Sequence, residues 1–374
     1  MHCCAIGPFG TRLVVPGCDT FRPSQRRNPE TGFDLECAPG SSVEGMMRRT
    51  LGRSGIEVSG IGMGCWAIGG PFFTTDGTAL GWGEVDDDES VRAVHRALDL
   101  GVTFFDTADL YGAGHSERVL SRALEGRRDQ VVIATKWGNR FDEDTKVFTG
   151  PGHGPRYLRD AVEASLRRLG TDYIDLYQFH LNDHPVDSAA EQLEALESLV
   201  EAGKIRAYGW STDFPDRAEA WGAGGEHCTA VQHDFSVMKG GKTDVVEVCE
   251  RLNLACINRG PLAMGLLTGK YTAETKVGPD DIRGSGGEKT LFEDGRPVPE
   301  YLARLEAVRD VLTSEGRTLA QGALGWLWAV SDATVPIPGC RTAAQVEENA
   351  GALEKGPLTA AQVEEVAKLL AAAS

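Results

Sequence analysis

Four side chains in the first half of the sequence have the types needed to move a proton to or from an oxygen: Asp106, Tyr111, Lys136 and His180. A phenol ionises near pH 10 and alone is a poor acid or base at neutral pH. An ammonium beside it favours the phenolate and lowers that pKa. A carboxylate would keep the ammonium charged and oriented, and an imidazole can bond the oxygen of a substrate carbonyl. Together these groups suit interconversion of a carbonyl and an alcohol. Singly, most have plainer roles. Asp106 followed by Thr107 can cap a turn, Tyr111 can be half-buried packing, and His180 can be a satisfied structural histidine. Lys136 is harder to explain away, because an unpaired ammonium at the end of an apolar strand is costly to bury.

The elements around them alternate. Short β-rich runs fall at 59–65, 103–107, 131–136, 174–180, 205–211, 230–236, 254–258 and 333–337. Helical patterns lie between and after them at 88–100, 115–125, 156–169, 188–203, 215–221, 242–252, 318–330, 342–353 and 358–372. Strands apolar on both faces, alternating with amphipathic helices, describe an α/β protein with a parallel sheet covered by helices. Eight such units in roughly 300 residues indicate a closed (β/α)8 barrel, whose chemistry gathers where the strands end. Asp106, Lys136 and His180 stand at three such ends. A doubly wound sheet would want G-x-G-x-x-G after its first strand, a spacing that GMGCWAIGG (62–70) lacks. Residues 48–58 read as a hairpin ahead of the first barrel strand, and 271–300 as a long polar loop after the seventh, of the kind used as a lid or binding flap.

Composition narrows the function. The chain has 374 residues, 41% hydrophobic and 25% charged, which excludes wholesale disorder and leaves room for a large core. A net charge of −17 opposes binding to nucleic acid or to an anionic membrane. No apolar run is long enough to span a bilayer, and the first residues do not read as a signal peptide. Residues 1–45 have neither helical nor strand periodicity and are expected to be an irregular extension, the barrel occupying 46–374. The change of character at Met46-Met47 suggests a natural start there. The nine cysteines show no C-x-x-C pair, so they read as small buried hydrophobes in a reducing cytoplasm. No metal is expected: His180 and His184 have helical ligand spacing but follow a strand.

Five motifs, in order, resemble the aldo-keto reductase superfamily: GVTFFDTADLYGAGHSERVLSRAL, VVIATKWG, TDYIDLYQFHLND, GPLAMGLLTGKY and VPIPGCRTAAQVEENAGAL. The resemblance runs from about Arg48 to Leu353 and implies a barrel that binds NADPH, with NADH possible, and reduces a small carbonyl substrate. It implies Tyr111 as general acid, Lys136 and Asp106 as its tuners, and His180 as the group orienting substrate. Ser211, Thr212 and Gln232 would grip the nicotinamide carboxamide, with Cys65, Trp66 and Asp106 nearby. Many relatives carry Asn in place of Thr212, and Tyr-Ser-Pro-Leu where this chain reads Arg259-Gly260-Pro261-Leu262. Arg259 would there stack on the nicotinamide. Leu262, Gly265 and Lys270 would border the pyrophosphate, while Gly339, Arg341, Gln345, Glu348 and Asn349 would hold the adenosine. Arg341 beside a 2′-phosphate would favour NADPH.

Trp66, Trp82 and Trp137 follow the first and third barrel strands and are candidate walls of an apolar substrate pocket. The acidic run Glu84–Glu89 has helix capping as its simplest role. Two other functions fit the same residues. One is an NAD(P)+-dependent dehydrogenase of a sugar or alcohol; the other is a cofactor-sensing subunit with little turnover. Neither the substrate nor the oligomeric state follows from the sequence.

Overall fold

A computed structural model describes residues 46–373, which open with an antiparallel hairpin of β1 (Arg48–Thr50) and β2 (Glu57–Ser59). The extension expected over 1–45 lies outside the described residues. From β3 (Gly62–Gly64) strand and helix alternate: α1 (Asp87–Asp99), β4 (Phe104–Asp106), α2 (His115–Ala123), β5 (Val132–Trp137). A second hairpin, β6 (Asn139–Asp142) with β7 (Val147–Pro151), precedes α3 (Pro155–Leu169) and β8 (Ile174–Phe179). Then come α4 (Val186–Ala190), α5 (Leu193–Glu201), β9 (Ile205–Ser211), α6 (Pro215–Gly224), β10 (Cys228–Asp234), α7 (Asp244–Leu252) and β11 (Ala255–Arg259). A small hairpin of β12 (Phe292–Glu293) and β13 (Arg296–Pro297) leads into α8 (Pro299–Leu312), α9 (Leu319–Val330), β14 (Thr334–Pro336), α10 (Ala343–Ala350), α11 (Ala352–Lys355) and α12 (Ala360–Ala372).

Eight strands form one parallel sheet in the order β14-β11-β10-β9-β8-β5-β4-β3. Its two edges meet where Gly64 bridges Gly339 and the Gly64 amide donates to the Pro338 carbonyl at 3.0 Å. This is the expected (β/α)8 barrel. Alternation along each strand sorts the side chains. Phe104, Val132, Ala134, Leu176, Ala207, Ala230, Ile257 and Val335 fill the lumen, and Leu51 and Val58 of the hairpin pack into that same cluster. Outward residues such as Phe105, Ile133, Tyr177, Trp210 and Val231 join the larger core beneath the helices.

The helices start on local signals. Asp86 caps α1 by accepting from the amides of Asp88 and Glu89, and Thr318 and Thr359 form capping boxes with Gln321 and Gln362.

Three helical elements differ from the sequence expectation. The helix expected over 188–203 is two pieces, and of the two residues between them Gln192 is buried with its Oε1 accepting from Trp137 Nε1 at 3.4 Å. The helix expected over 342–353 is divided at Gly351. Helix α8 was not anticipated, although Pro299 at its first turn and the buried Leu305, Val308 and Leu312 at helical spacing were the available signals.

The long segment after β11 folds across the mouth to the loop after β3. The Ile282 amide donates to the Gly81 carbonyl at 2.8 Å and Ser285 Oγ to that of Ala79 at 2.8 Å. The Arg283 guanidinium lies 4.6 Å from the Trp82 ring centroid and pairs with Asp281 at 2.6 Å.

Candidate active site

At the top of β4, β5, β8 and β10 the lumen becomes polar. Lys136, fully buried, donates to Asp106 Oδ1 at 2.5 Å, to the Thr107 carbonyl at 2.7 Å and to the Tyr111 hydroxyl at 3.3 Å. Asp106 Oδ2 accepts from Gln178 Nε2 at 2.9 Å and from Gln232 Nε2 at 2.7 Å. Both carboxylate oxygens are therefore satisfied, which makes a charge pair tolerable in a dry lumen. His180 completes the group, its ring edge-on to that of Tyr111 with centroids 5.8 Å apart. The structure thus brings all four expected residues together.

The protonation states are set by burial against charge. Burial lowers the Lys136 pKa on its own, but Asp106 and Tyr111 outweigh it and hold the ammonium above its ordinary value. Burial also raises the phenol of Tyr111, and here it exceeds the opposing pull of Lys136. The sequence expectation of a lowered phenol pKa is corrected on this point: desolvation of the phenolate is the larger effect. Burial, then Lys136 and Arg259, push His180 well below 6.5, so its imidazole is neutral. Its Nδ1 is buried and has no partner among the described residues.

Tyr111 is positioned by backbone fit. Gly112 has φ +61°, and a Cβ there would lie 1.8 Å from the Gly69 carbonyl oxygen. This close approach places Tyr111 against the single helical turn Trp66–Ile68, where Trp66 stacks on it at 5.8 Å and 19°. Trp82 meets Trp66 edge-on at 5.3 Å. Trp66 and Trp82 therefore wall the mouth beside Tyr111. Trp137 does not: it points out of the barrel, is fully buried, and stacks on Tyr177 at 4.6 Å and on Trp221 at 6.4 Å. That corrects its assignment to the substrate pocket. Lys136 and Trp137 are adjacent in one strand and must face opposite ways.

The expected cofactor residues divide similarly. Gln232 stands in the lumen, and Ser211 is at the inward position atop β9. Thr212 faces the other way, its hydroxyl donating to the Asn182 carbonyl at 2.7 Å and accepting from the Phe214 amide at 3.3 Å. Cys65 is fully buried with its thiol directed at the Met63 carbonyl, 3.6 Å away, so it offers no side-chain contact. Arg259 reaches the rim and pairs with Asp213. Gly260, Pro261, Leu262 and Gly265 form the turn after β11, with Lys270 exposed just beyond it.

Gly339 is exposed at the barrel seam. Arg341 donates to the carbonyls of Trp82, at 3.0 Å, and Glu84, while its own amide donates to Gln345 Oε1 at 2.7 Å. Glu348 is half-buried on α10. Asn349 is buried and donates to Cys340 Sγ at 3.2 Å, so it does not share an open face with Gln345.

Gln178 was missed by sequence reasoning. It lies two residues before His180 in an apolar strand, and a polar residue in register with a site histidine was the signal. Among the described residues no cluster of His, Cys, Asp or Glu has the makings of a metal site. The five described cysteines, Cys65, Cys228, Cys249, Cys256 and Cys340, are buried and unbridged. No described helix is long and apolar enough to cross a membrane.

Comparison with known proteins agrees with the barrel fold. The aldo/keto reductase family model matches residues 61–371. The aldo-keto reductase YhdN of Bacillus subtilis is 33% identical over 303 residues, covering 80% of this chain and 86% of its own. The aldo-keto reductase yakc [NADP(+)] of Schizosaccharomyces pombe is 31% identical, over 85% and 89%. Among solved structures, the glycerol dehydrogenase AKR11B4 of Gluconobacter oxydans superposes with a TM-score of 0.70 at 30% identity, over 85% and 93% of the two chains.

Proposed function

This chain belongs to the aldo/keto reductase family, and from that premise we propose that it reduces an aldehyde or ketone with NADPH, Tyr111 delivering the proton. It is an oxidoreductase acting between carbonyl and alcohol. The observation that carries the finer reading is the direction of one hydrogen bond. Lys136 has only donors, so it must donate to the Tyr111 oxygen, and the phenolic hydrogen is left free to point into the mouth.

The donor set fits a dinucleotide. Gln232 and Ser211 present amide and hydroxyl groups beside Asp106, as a carboxamide requires, and the neutral His180 can bond a carbonyl oxygen. Arg259 stands at the rim where it can stack on a planar ring, and Arg341 stands at the start of α10, where an anion is favoured. Gly260, Pro261, Leu262, Gly265 and Lys270 would border the pyrophosphate, and Gln345 and Glu348 the adenosine. The name of the yeast relative includes NADP(+), which supports the same choice.

Bound NADPH supplies the hydride. The chain's own residues do the rest. His180 orients the substrate oxygen, and Tyr111 transfers its proton to that oxygen as negative charge grows on it. Lys136 stabilises the resulting phenolate, and Asp106, held by Gln178 and Gln232, keeps Lys136 in place. Trp66 and Trp82 exclude water from one side. The same atoms run an alcohol oxidation when the phenolate accepts the proton. The dehydrogenase relative favours weighing that direction, so the assay must be made both ways. A panel of aldehydes and ketones, followed by NADPH absorbance, tests the proposal. NADPH consumption that depends on the carbonyl is expected, and its absence across the panel, with no reverse oxidation, would overturn it.

A further inference from the structure

Capping explains Asp86 in the acidic run at the start of α1, but not Glu89, whose carboxylate reaches out of its own helix. Its Oε1 accepts from the backbone amide of Ala343, the first residue of α10, at 3.3 Å. Its Oε2 accepts twice from Arg92, at 2.9 and 2.7 Å. The Arg92 bonds first, and the Ala343 amide second, hold this carboxyl below its ordinary range, so it is anionic at neutral pH.

The rest of the α10 start is engaged too. The Thr342 hydroxyl accepts from the Gln345 amide, and the Thr342 carbonyl from the Val346 amide. Arg341, however, is bound to the neutral carbonyls of Trp82 and Glu84, so its charge is not cancelled by them. The place where the resemblance puts a 2′-phosphate thus holds, among the described residues, the uncompensated charge of Arg341 and a built-in carboxylate that is paired with Arg92.

We infer that Glu89 is a specificity-determining residue for the cofactor. It stands in for the 2′-phosphate at the Ala343 amide and narrows the preference for NADPH over NADH. The inference rests on the reading of Arg341, Gln345 and Glu348 as the adenosine site. A 2′-phosphate entering there must displace Glu89 from the amide and then sit beside a carboxylate. The 2′-hydroxyl of NADH meets neither obstacle. Arg341 still attracts the phosphate, so NADPH remains preferred, by a smaller margin than Arg341 alone would set.

The test is binding rather than turnover. Quenching of tryptophan fluorescence gives dissociation constants of NADPH and NADH for the whole protein. Glu89→Ala and Glu89→Gln are expected to tighten NADPH about 3–10-fold, the loss of one nearby unit charge, and to leave NADH unchanged. Asp99→Asn, at the exposed far end of α1, controls for net charge and should change neither. Arg341→Ala separates the two levels of the argument. If it does not weaken NADPH relative to NADH, the adenosine-site reading fails. If it does, yet both Glu89 variants leave the ratio unmoved, or Asp99→Asn moves it equally, the Glu89 inference alone is overturned.

Discussion

Trp66 lies nearly parallel to Tyr111, ring centroids 5.8 Å apart, while Lys136 holds the phenol oxygen at 3.3 Å. One residue thus has an apolar wall against its face and a charge at its tip. The ring is fixed by packing and the oxygen by electrostatics, which is what a proton donor to a growing alkoxide requires.

Tyr111→Phe removes only the hydroxyl and keeps the stack. Turnover should fall by roughly 10²–10⁴, the usual worth of a general acid, with the NADPH dissociation constant unchanged. Steady-state kinetics and fluorescence titration read the two quantities; near-normal turnover would remove Tyr111 from the role.

Lys136→Met should be inactive and also unstable. It leaves Asp106, 2% exposed, as a buried carboxylate without its cation. The expected loss is about 3–5 kcal/mol in urea unfolding. Adding Asp106→Asn should restore part of that stability without activity, because the charge that was stranded is gone. A double variant no more stable than the single one would contradict the pairing.

The two tryptophans should separate cleanly. Trp137→Ala empties a fully buried site between sheet and helices and should cost about 3–5 kcal/mol with substrate preference retained. Trp66→Ala should change KM most for bulky carbonyls and disturb stability less. Equal effects on specificity would return Trp137 to the pocket.

The rate of reduction should be level with pH around neutrality. His180 is depressed well below 6.5 and stays neutral, whereas Tyr111 is raised above 10.0 and stays protonated. The reductive kcat should therefore decline only on the strongly alkaline side, and the reverse oxidation should rise there, since it needs the phenolate. A bell centred near neutral pH would contradict both assignments.

Acid should weaken the fold through His233. Burial lowers its pKa from 6.5 to about 4, between Cys256 Sγ at 3.4 Å and Thr243 Oγ1 at 3.1 Å. Between those values the unfolded chain binds the proton and the native one does not. Stability is then full above pH 6.5 and lost as pH falls towards 4, by about 3 kcal/mol. Urea midpoints for His233→Gln across that window should be flatter than for the native protein.

Much of this molecule was legible from residue order alone. The eight strands and most helices follow from apolar runs and amphipathic periods, which are local properties. Asp106, Lys136 and His180 could be placed at strand ends for the same reason. The capping role of Asp86 needed only the acidic residue ahead of a helical pattern.

What could not be read locally was which way a side chain faces once the strands are registered. Lys136 and Trp137, or Ser211 and Thr212, differ by one position, and only closure of the barrel turns one inward and the other out. The net shift of Tyr111 likewise depended on how completely the fold removes water around it, a quantity that no spacing encodes. Glu89 could be read as a capping acid, but its bond to Ala343 joins residues 254 apart in the chain. Period and propensity belong to the sequence because they act over a few residues; facing, burial and long-range charge belong to the tertiary structure because they exist only after distant segments pack.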